Sequence, residues 1–377
     1  MASRNRVTYQ CEAAYVGPAI ISGVTDNGPV EVLERVQSID YSIEIPRADV
    51  SQLGKDGLVG APIIEHPYVE GSISYILGSF RNEKSIGLNF NSHSTNVPDS
   101  LDDTFSTSLI SGFHNKENRS LDRRNFYISL AEEGVDVVNN VDGITSVVGF
   151  SKCYLNNWSS KGSVNGLISN TIGFTSCDIQ YFNSTGTIQM PEINFKRVKD
   201  LDTKTVVLPT YEATGTSALF PRDIDLSITS LTNLDKVGAK FSDIKLQEFD
   251  LDLSLQRRSV NSLGYRIPLD QEIVDPSMVT LSLNGLVGES ATGSLFSIIN
   301  DDQRYDVEMD LYSVTGCSPT ERGKALTNKY ILKKAKVERF SYGSSIGENK
   351  IVSLGFSVDL DPSDLNKGFF LSGFVNT

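Results

Sequence analysis

Four carboxylates stand at short spacings in two similar stretches: Asp40 and Glu44 in "SIDYSIEI", and Asp250 and Asp252 in "EFDLDLSL". Paired carboxylates can do acid–base chemistry when geometry holds one of them protonated beside the other. On a strand, however, residues four apart are separated by about 13 Å. The second pair keeps the charge but not the spacing, so a solvated acidic face is expected instead. The thiols and imidazoles offer no alternative. Cys11, Cys153, Cys177 and Cys317 contain no CxxC pair, and His66, His93 and His114 sit at no zinc-like spacing from them. Four small buried or half-buried thiols are expected. No GxSxG, HExxH, phosphate-binding loop or helix-opening GxGxxG occurs. The stretch "HNKENRSLDRRN" at 114–125 reads as a polar loop. "KKAK" at 333–336, with Arg339, falls on an expected strand, where lysines defend an edge; an inter-subunit contact is the second reading. The expectation is a protein that is not an enzyme, with no cofactor and no metal.

Composition sets the scale. The 377 residues are 39% hydrophobic and 21% charged, with a formal net charge of −13. That is an ordinary globular mix, long enough for two cores. No run approaches the roughly 18 apolar residues of a membrane helix. The opening "MASRNRVTYQCEAAYVG" has no apolar h-region, so a chain that assembles in a cytoplasm is expected, and the sequons at Asn118, Asn157 and Asn183 are read as chance matches. The negative charge argues against sequence-specific DNA binding. It leaves room for a protein that handles DNA without holding it.

The strongest signal is an internal repeat. Residues 36–78 align with 246–288 without a gap, a shift of 210. Identities fall at Gln37/Gln247, Asp40/Asp250, Arg47/Arg257, Val50/Val260, Leu53/Leu263, Gly54/Gly264, Ile63/Ile273, Val69/Val279, Ser72/Ser282 and Gly78/Gly288. A second block, 152–175 on 334–357, recurs at a shift of 182, with Lys152/Lys334, Ser159/Ser341, Ser163/Ser345, Gly173/Gly355 and Phe174/Phe356. Trp158 becomes Phe340. The change of shift places an insertion within 79–125 of the first copy. Two tandem domains follow, 1–199 and 200–377.

Each copy reads as β. Ile39, Tyr41, Ile43 and Ile45 alternate with polar residues, as do Phe249, Leu251, Leu253 and Leu255; period two means one buried and one wet face. A second alternating strand starts near Val69 and Val279. Loops of about 20 residues, 47–67 and 257–277, join these strands, longer than a hairpin needs. The later block is a hairpin in each copy. A helix is expected over "SLDDTFSTSLISGFHN", where Ser100 and Asp103 form a capping box and Leu101, Phe105, Leu109 and Phe113 share a face; "GSLFSIIN" at 293–300 is its shorter counterpart. The expected fold is mainly β: two antiparallel β-sandwich or part-barrel domains, each with one short helix.

The opening "NRVTYQCEAAYVGP", the segment "LERVQSIDYSIEIPRADVSQLG", and the strand, helix and hairpin that follow resemble the tail tube (major tail) proteins of long-tailed bacteriophages. The resemblance spans most of the chain but rests on patterns, not catalytic signatures. It implies a virion protein assembled in the host cytoplasm. Its single-domain members form hexameric rings whose inner strands close one β-barrel. For a duplicated chain the resemblance implies homotrimeric rings with pseudo-sixfold symmetry, stacked into a tube. Its partners would be itself, the tape-measure protein and passing double-stranded DNA in the lumen, and tail terminator and baseplate or distal tail proteins at the ends, with no membrane. On that reading Asp40, Glu44, Glu70, Asp250 and Asp252 face the lumen. Arg47, Val50, Leu53 and Gly54, with Arg257, Val260, Leu263 and Gly264, form the ring-stacking interface. The alternative within the resemblance is a baseplate hub or tail-tip component built of two fused tube domains. A tail-tip hydrolase would instead need an aromatic cleft with paired carboxylates, which these residues do not supply.

Overall fold

The computed structural model describes residues 12–19, 30–63, 68–93, 105–114, 122–131, 134–137, 143–183, 187–189, 205–210, 219, 224–230, 244–263, 268, 270–287, 304–315, 323–343 and 351–374. The first half carries β1 (Glu12–Pro18), β2 (Glu31–Val32), β3 (Val36–Glu44), β4 (Val50–Ser51), β5 (Leu58–Gly60), β6 (Tyr68–Ile76), β7 (Asn91–His93), β8 (Arg124–Ala131), β9 (Ile144–Ser163), β10 (Ser169–Ser176) and β11 (Asp178–Phe182). A hairpin of β12 (Thr187–Gln189) and β13 (Thr205–Val207) follows. The second half carries β14 (Ile224–Ser230), β15 (Ile244–Ser254), β16 (Arg257–Val260), β17 (Asp270–Ile273), β18 (Ser277–Val287), β19 (Tyr305–Thr315), β20 (Gly323–Gly343), β21 (Ile351–Leu360) and β22 (Gly368–Phe374). The protein is mainly β, as its period-two pattern requires, and every pairing but β7 with β22 is antiparallel.

One eight-stranded ladder organises the molecule: β3–β6–β10–β9–β15–β18–β21–β20. Its first four strands pair as its last four do. Rung by rung, Ile39, Ile73, Ile172, Trp158, Leu253, Val279 and Val358 lie side by side across seven strands. All but Ile39 are buried. This apolar face meets a second layer, β1–β8–β9–β11 in the first half and β14–β19–β20–β22 in the second. The main core cluster draws on both halves, and a smaller one, with Tyr15, Tyr127 and Val147, lies on the other side of β1, β8 and β9.

The two layers are joined by single strands that serve both. β9 has 20 residues and β20 has 21. Their N-terminal portions pair with β8 and β19, their C-terminal portions with β10 and β21. The turn between layers comes where Lys152 (φ 48°) and Lys334 (φ 57°) enter the left-handed region, which costs a side-chain-bearing residue of order 1 kcal/mol or more. The displaced amides are capped alike: Lys152 donates to Asn125 Oδ1 at 3.0 Å and Lys334 to Asp306 Oδ1 at 2.8 Å. Each is a bulge that re-aims a strand.

Several identities in the repeat now have causes. Gln37 and Gln247 are the extra residues of bulges in β3 and β15, and each amide donates back to its own two preceding carbonyls. Gly173 and Gly355 face second bulges in β9 and β20. A Cβ at Gly173 would lie 1.7 Å from Asn157 Oδ1, and one at Gly355 3.1 Å from Arg339 Cβ.

The helices agree with expectation only in part. A helix outside the expected segment, α1, runs over Arg81–Ile86 and is closed by Gly87 in the left-handed conformation (φ 99°). Of the expected helix, 100–104 lie outside the described residues, as does 293–300; 105–110 are not helical, and a single helical turn, α2, stands at Ser111–His114. Leu109 and Phe113 are buried, with Ile110 between them. Helix α1 carries Asn82, which bonds both backbone groups of Glu34 at 2.9 Å, and Glu83, fully buried. Glu83 accepts from Tyr75 Oη at 2.5 Å and Asn170 Nδ2 at 2.7 Å, while its Oε2 has no partner. Burial holds this carboxyl above the ordinary value of 4.5.

Two predictions follow from this architecture. Asn125→Ala and Asp306→Ala each strand a displaced amide without its acceptor, so each should cost about 1–3 kcal/mol in denaturant unfolding. Loss of less than a few tenths at both sites would show that the bulges do not need their caps. Glu83 makes stability pH-dependent: a raised folded pKa means its contribution is full below the ordinary carboxylate range and fades as pH rises through the folded value. Glu83→Gln removes that fade. The variant should therefore gain on the parent as pH rises above the ordinary carboxylate range, and parallel pH profiles would refute the assignment.

Candidate functional site

Alternation puts one face of the ladder in the core and leaves the other to polar side chains. Asp40 pairs with Ser72, Ser42 with Glu70, Asp252 with Ser159 and Thr280, and Asp250 with Lys161 and Ser282. Asp40, Glu44 and Glu70 are exposed, Asp250 and Asp252 partly so, and all five belong to this single face. Lys161 answers Asp250 at 2.9 Å, though the pair is 60% and 42% exposed and adds little stability. Donating to Asp250 holds the Lys161 ammonium above its usual range. Burial, then the neighbouring Asp250 charge, raises the Asp252 carboxyl. Ser38, Ser74 and Asn284 on the same face hydrogen-bond across strands, and Glu248, Met278, Asp359, Lys336 and Arg339 also belong to it. It is a wet, polar surface on which carboxylates outnumber cations.

The described residues bring together no group of three or more His, Cys, Asp or Glu able to hold a metal. Cys153 and Cys177 are buried free thiols; burial pushes Cys177 up to about 11 and Cys153 higher still, so neither is a thiolate near neutrality. Cys11, Cys317 and His66 lie outside the described residues. No described helix is long and apolar enough to cross a membrane.

The long loops form two arms of matching register. Arg47 pairs with Ile63 and Arg257 with Ile273; Arg47 Nη1 donates to Ala61 O at 3.2 Å and Arg257 Nη1 to Gln271 O at 3.0 Å. The identities at Arg47/Arg257 and Ile63/Ile273 therefore close each arm on itself. Beyond that the arms diverge. The second lies on the first half of the chain. Arg257 also donates to Leu155 O at 2.8 Å and grips Asp122 through both oxygens at 2.6 and 3.2 Å, with side chains only 4% and 6% exposed. Asp270 accepts from Arg123 at 3.0 Å and from Tyr154 at 3.3 Å. The guanidinium expected to reach an adjoining ring is thus committed inside its own molecule. The first arm has no such seat: Arg47, Val50, Leu53 and Gly54 are exposed. Leu53 and Leu263, at the arm tips, are 102% and 100% exposed, Val260 is partly buried, and Gly264 lies outside the described residues. Gly54 takes φ 82°, which explains glycine there.

The edges diverge in the same way. Strand β15 is flanked by β9 and β18, and its Phe249, Leu251 and Leu253, with the following Leu255, are at most 2% exposed. Among the described residues the equivalent strand β3 pairs only with β6. Its Tyr41, Ile43 and the following Ile45 are 42%, 44% and 47% exposed. At the opposite end, among the described residues, the C-terminal portion of β20 has β21 on one side only, and Arg339 and Tyr342 are exposed. Sequence alternation gave β3 and β15 the same reading; the uncovered edge of one was not visible because the pattern does not say who the neighbour is.

No family model matches this chain, and no curated protein matches it either. Among solved structures, the crystal structure of an Hcp protein aligns with 40% of this chain and 98% of its own, at 12% identity and a TM-score of 0.24.

The contrast between arms is testable in the isolated chain. Arg257→Ala leaves Asp122 as an uncompensated buried charge and should cost about 3–5 kcal/mol. Arg47→Ala should stay within about 0.5 kcal/mol. Equal losses on urea unfolding would refute the asymmetry.

Proposed function

We propose that this protein is a non-enzymatic structural component that self-assembles into rings, which stack into the tail tube of a bacteriophage virion. The observation that carries the reading is the open edge: an apolar row sealed by a neighbouring strand at β15 has no second strand among the described residues at β3, where Tyr41 rests on Phe150 but Tyr41, Ile43 and Ile45 stay nearly half exposed. Long exposed apolar edges are templates for another chain. Pairing β3 of one copy with β20 of the next is head-to-tail, so it closes a ring if the rotation allows. The repeated pairing pattern supports two equivalent units per chain, and the resemblance to tail tube proteins supplies six units, hence three chains. Eight ladder strands in each of three chains, at about 4.8 Å spacing and about 45° tilt, make a barrel roughly 50 Å across its backbone. With side chains inside, roughly 40 Å remains, which admits duplex DNA.

The wet face then lines the bore. Its carboxylates and hydroxyls repel phosphate or leave it unheld, which suits a conduit for DNA and a sleeve for a tape-measure protein. Terminator and baseplate or distal tail proteins would cap the ends. Assembly would take place in host cytoplasm, with no membrane involved.

Electron microscopy of the purified chain tests this. Threefold rings or stacked tubes, with Asp40 and Asp252 mapped to the lumen, are expected. Six chains per ring, or those carboxylates on the outer wall, would overturn it. Trimers that never stack would favour the hub over the tube.

A further inference from the structure

We infer that the junction between neighbouring copies copies the register of the junction inside the chain, and that an ion pair between Glu44 of one copy and Arg339 of the next, together with Arg47, decides its specificity. The inference rests on the ring reading above and extends it to named contacts.

The internal junction is a template. In it Asp250 faces Lys161, Leu251 faces Ser160, Asp252 faces Ser159, Leu253 faces Trp158 and Ser254 faces Asn157. Shifting β15 to β3 by 210 and β9 to β20 by 182 converts these rungs. Asp40 then faces Gly343, Tyr41 faces Tyr342, Ser42 faces Ser341, Ile43 faces Phe340 and Glu44 faces Arg339. The shifts are not chosen freely. The bulge at Asn156, between Leu155 and Asn157, recurs at Glu338, between Val337 and Arg339. A cross-strand hydrogen bond from Asn156 to Thr175 recurs between Ser357 and Glu338 at 2.6 Å. The bulge at Gln247 recurs at Gln37.

The converted rungs are chemically sound. Tyr41 and Tyr342, 42% and 36% exposed in the single chain, meet as an aromatic pair, and Ile43 meets the partly buried Phe340 as an aliphatic–aromatic pair. The register also carries opposite charges onto one rung. Glu44 and Arg339 are both exposed on the polar face, where the internal junction has only Ser254 and Asn157. Conversely, the Lys161–Asp250 rung becomes Gly343 and Asp40, which cannot pair. The two junctions therefore hold their ion pairs on different rungs. The same conversion brings Arg47 to the carbonyl of Val337 in the neighbour, as Arg257 meets Leu155. Arg47 then holds copies together within a ring.

Charge exchange tests this in the full chain, read by light scattering across a concentration series. Glu44→Arg and Arg339→Glu should each raise the concentration at half-assembly at least tenfold, and the double variant should restore it. Arg47→Ala should weaken assembly while leaving unfolding unchanged. In a second arm, Ser42→Cys with Ser341→Cys should give disulfide-linked trimers on oxidation, whereas Asp40→Cys with Ser341→Cys, one same-face step off, should not. A wild-type chain that assembles while the charge variants behave like it, or a double variant no better than the singles, would overturn the register alone. A wild-type chain that never associates would overturn the ring reading and the register with it.

Discussion

Everything in this fold hangs on one strand bending at one residue. β9 and β20 each belong to two layers, and a strand can change layers only by breaking its ladder locally. Lys152 and Lys334 accept that break in a backbone conformation ordinarily left to glycine, and Asn125 and Asp306 receive the amide it displaces. The bend fixes the rest. It brings β8 and β19 under the ladder, places the core between layers, and so decides which face of each ladder strand stays wet. The carboxylates of β3, β6 and β15 share a surface because the bend excludes the opposite face from solvent.

Similar segments then meet different fates. β3 and β15 have the same alternation, the same bulge and the same back-bonded glutamine. One is closed by β9 and the other by no described strand of its own chain. The arms repeat the pattern, since Arg47 and Arg257 each fasten their own arm but only Arg257 finds a buried carboxylate beyond it. Both differences have one origin: the first half lies beside the second on one flank only. Two linked units have a single internal junction, so one copy of every junction-forming group must be left over.

This explains what the amino-acid order could and could not convey. Period-two alternation is imposed by the pleat, and it made the strands, the wet face and the repeat readable. Arg47, Gln37 and Gly173 stood out as identities before their causes were known, because each meets a local backbone need that both copies share. The helix at Arg81–Ile86 was missed because it is six residues long and its first position follows Phe80, which provides no side-chain cap. The apolar spacing of Phe105, Leu109 and Phe113 is realised as helix only at its end, in the turn Ser111–His114, while 105–110 take no helical form. The bends were invisible, since lysine carries no signal for a left-handed backbone. Arg257's partners lie 102 and 135 positions away, at Leu155 and Asp122, a separation no local pattern reports.

A linked pair of units also gains a freedom that six separate ones lack. In a ring of identical single units every junction has the same residues, so a charge that improves one improves all, and the chain cannot distinguish them. Here the internal junction and the open edges are written separately. The internal one has drifted to Lys161 opposite Asp250, and its equivalent rung on the open edges offers Gly343 and Asp40. Glu44 and Arg339 stand two steps along the same face in each strand, where the internal junction is neutral. Register in a β-ladder is weakly specified on a polar face, because slipping by two residues keeps every side chain on its own side. A charge pair on a single rung penalises that slip, since moving it sets Arg339 opposite Ser42 and leaves Glu44 without its cation. The apolar rungs supply the attraction between edges, and the charges choose the alignment at which that attraction is used.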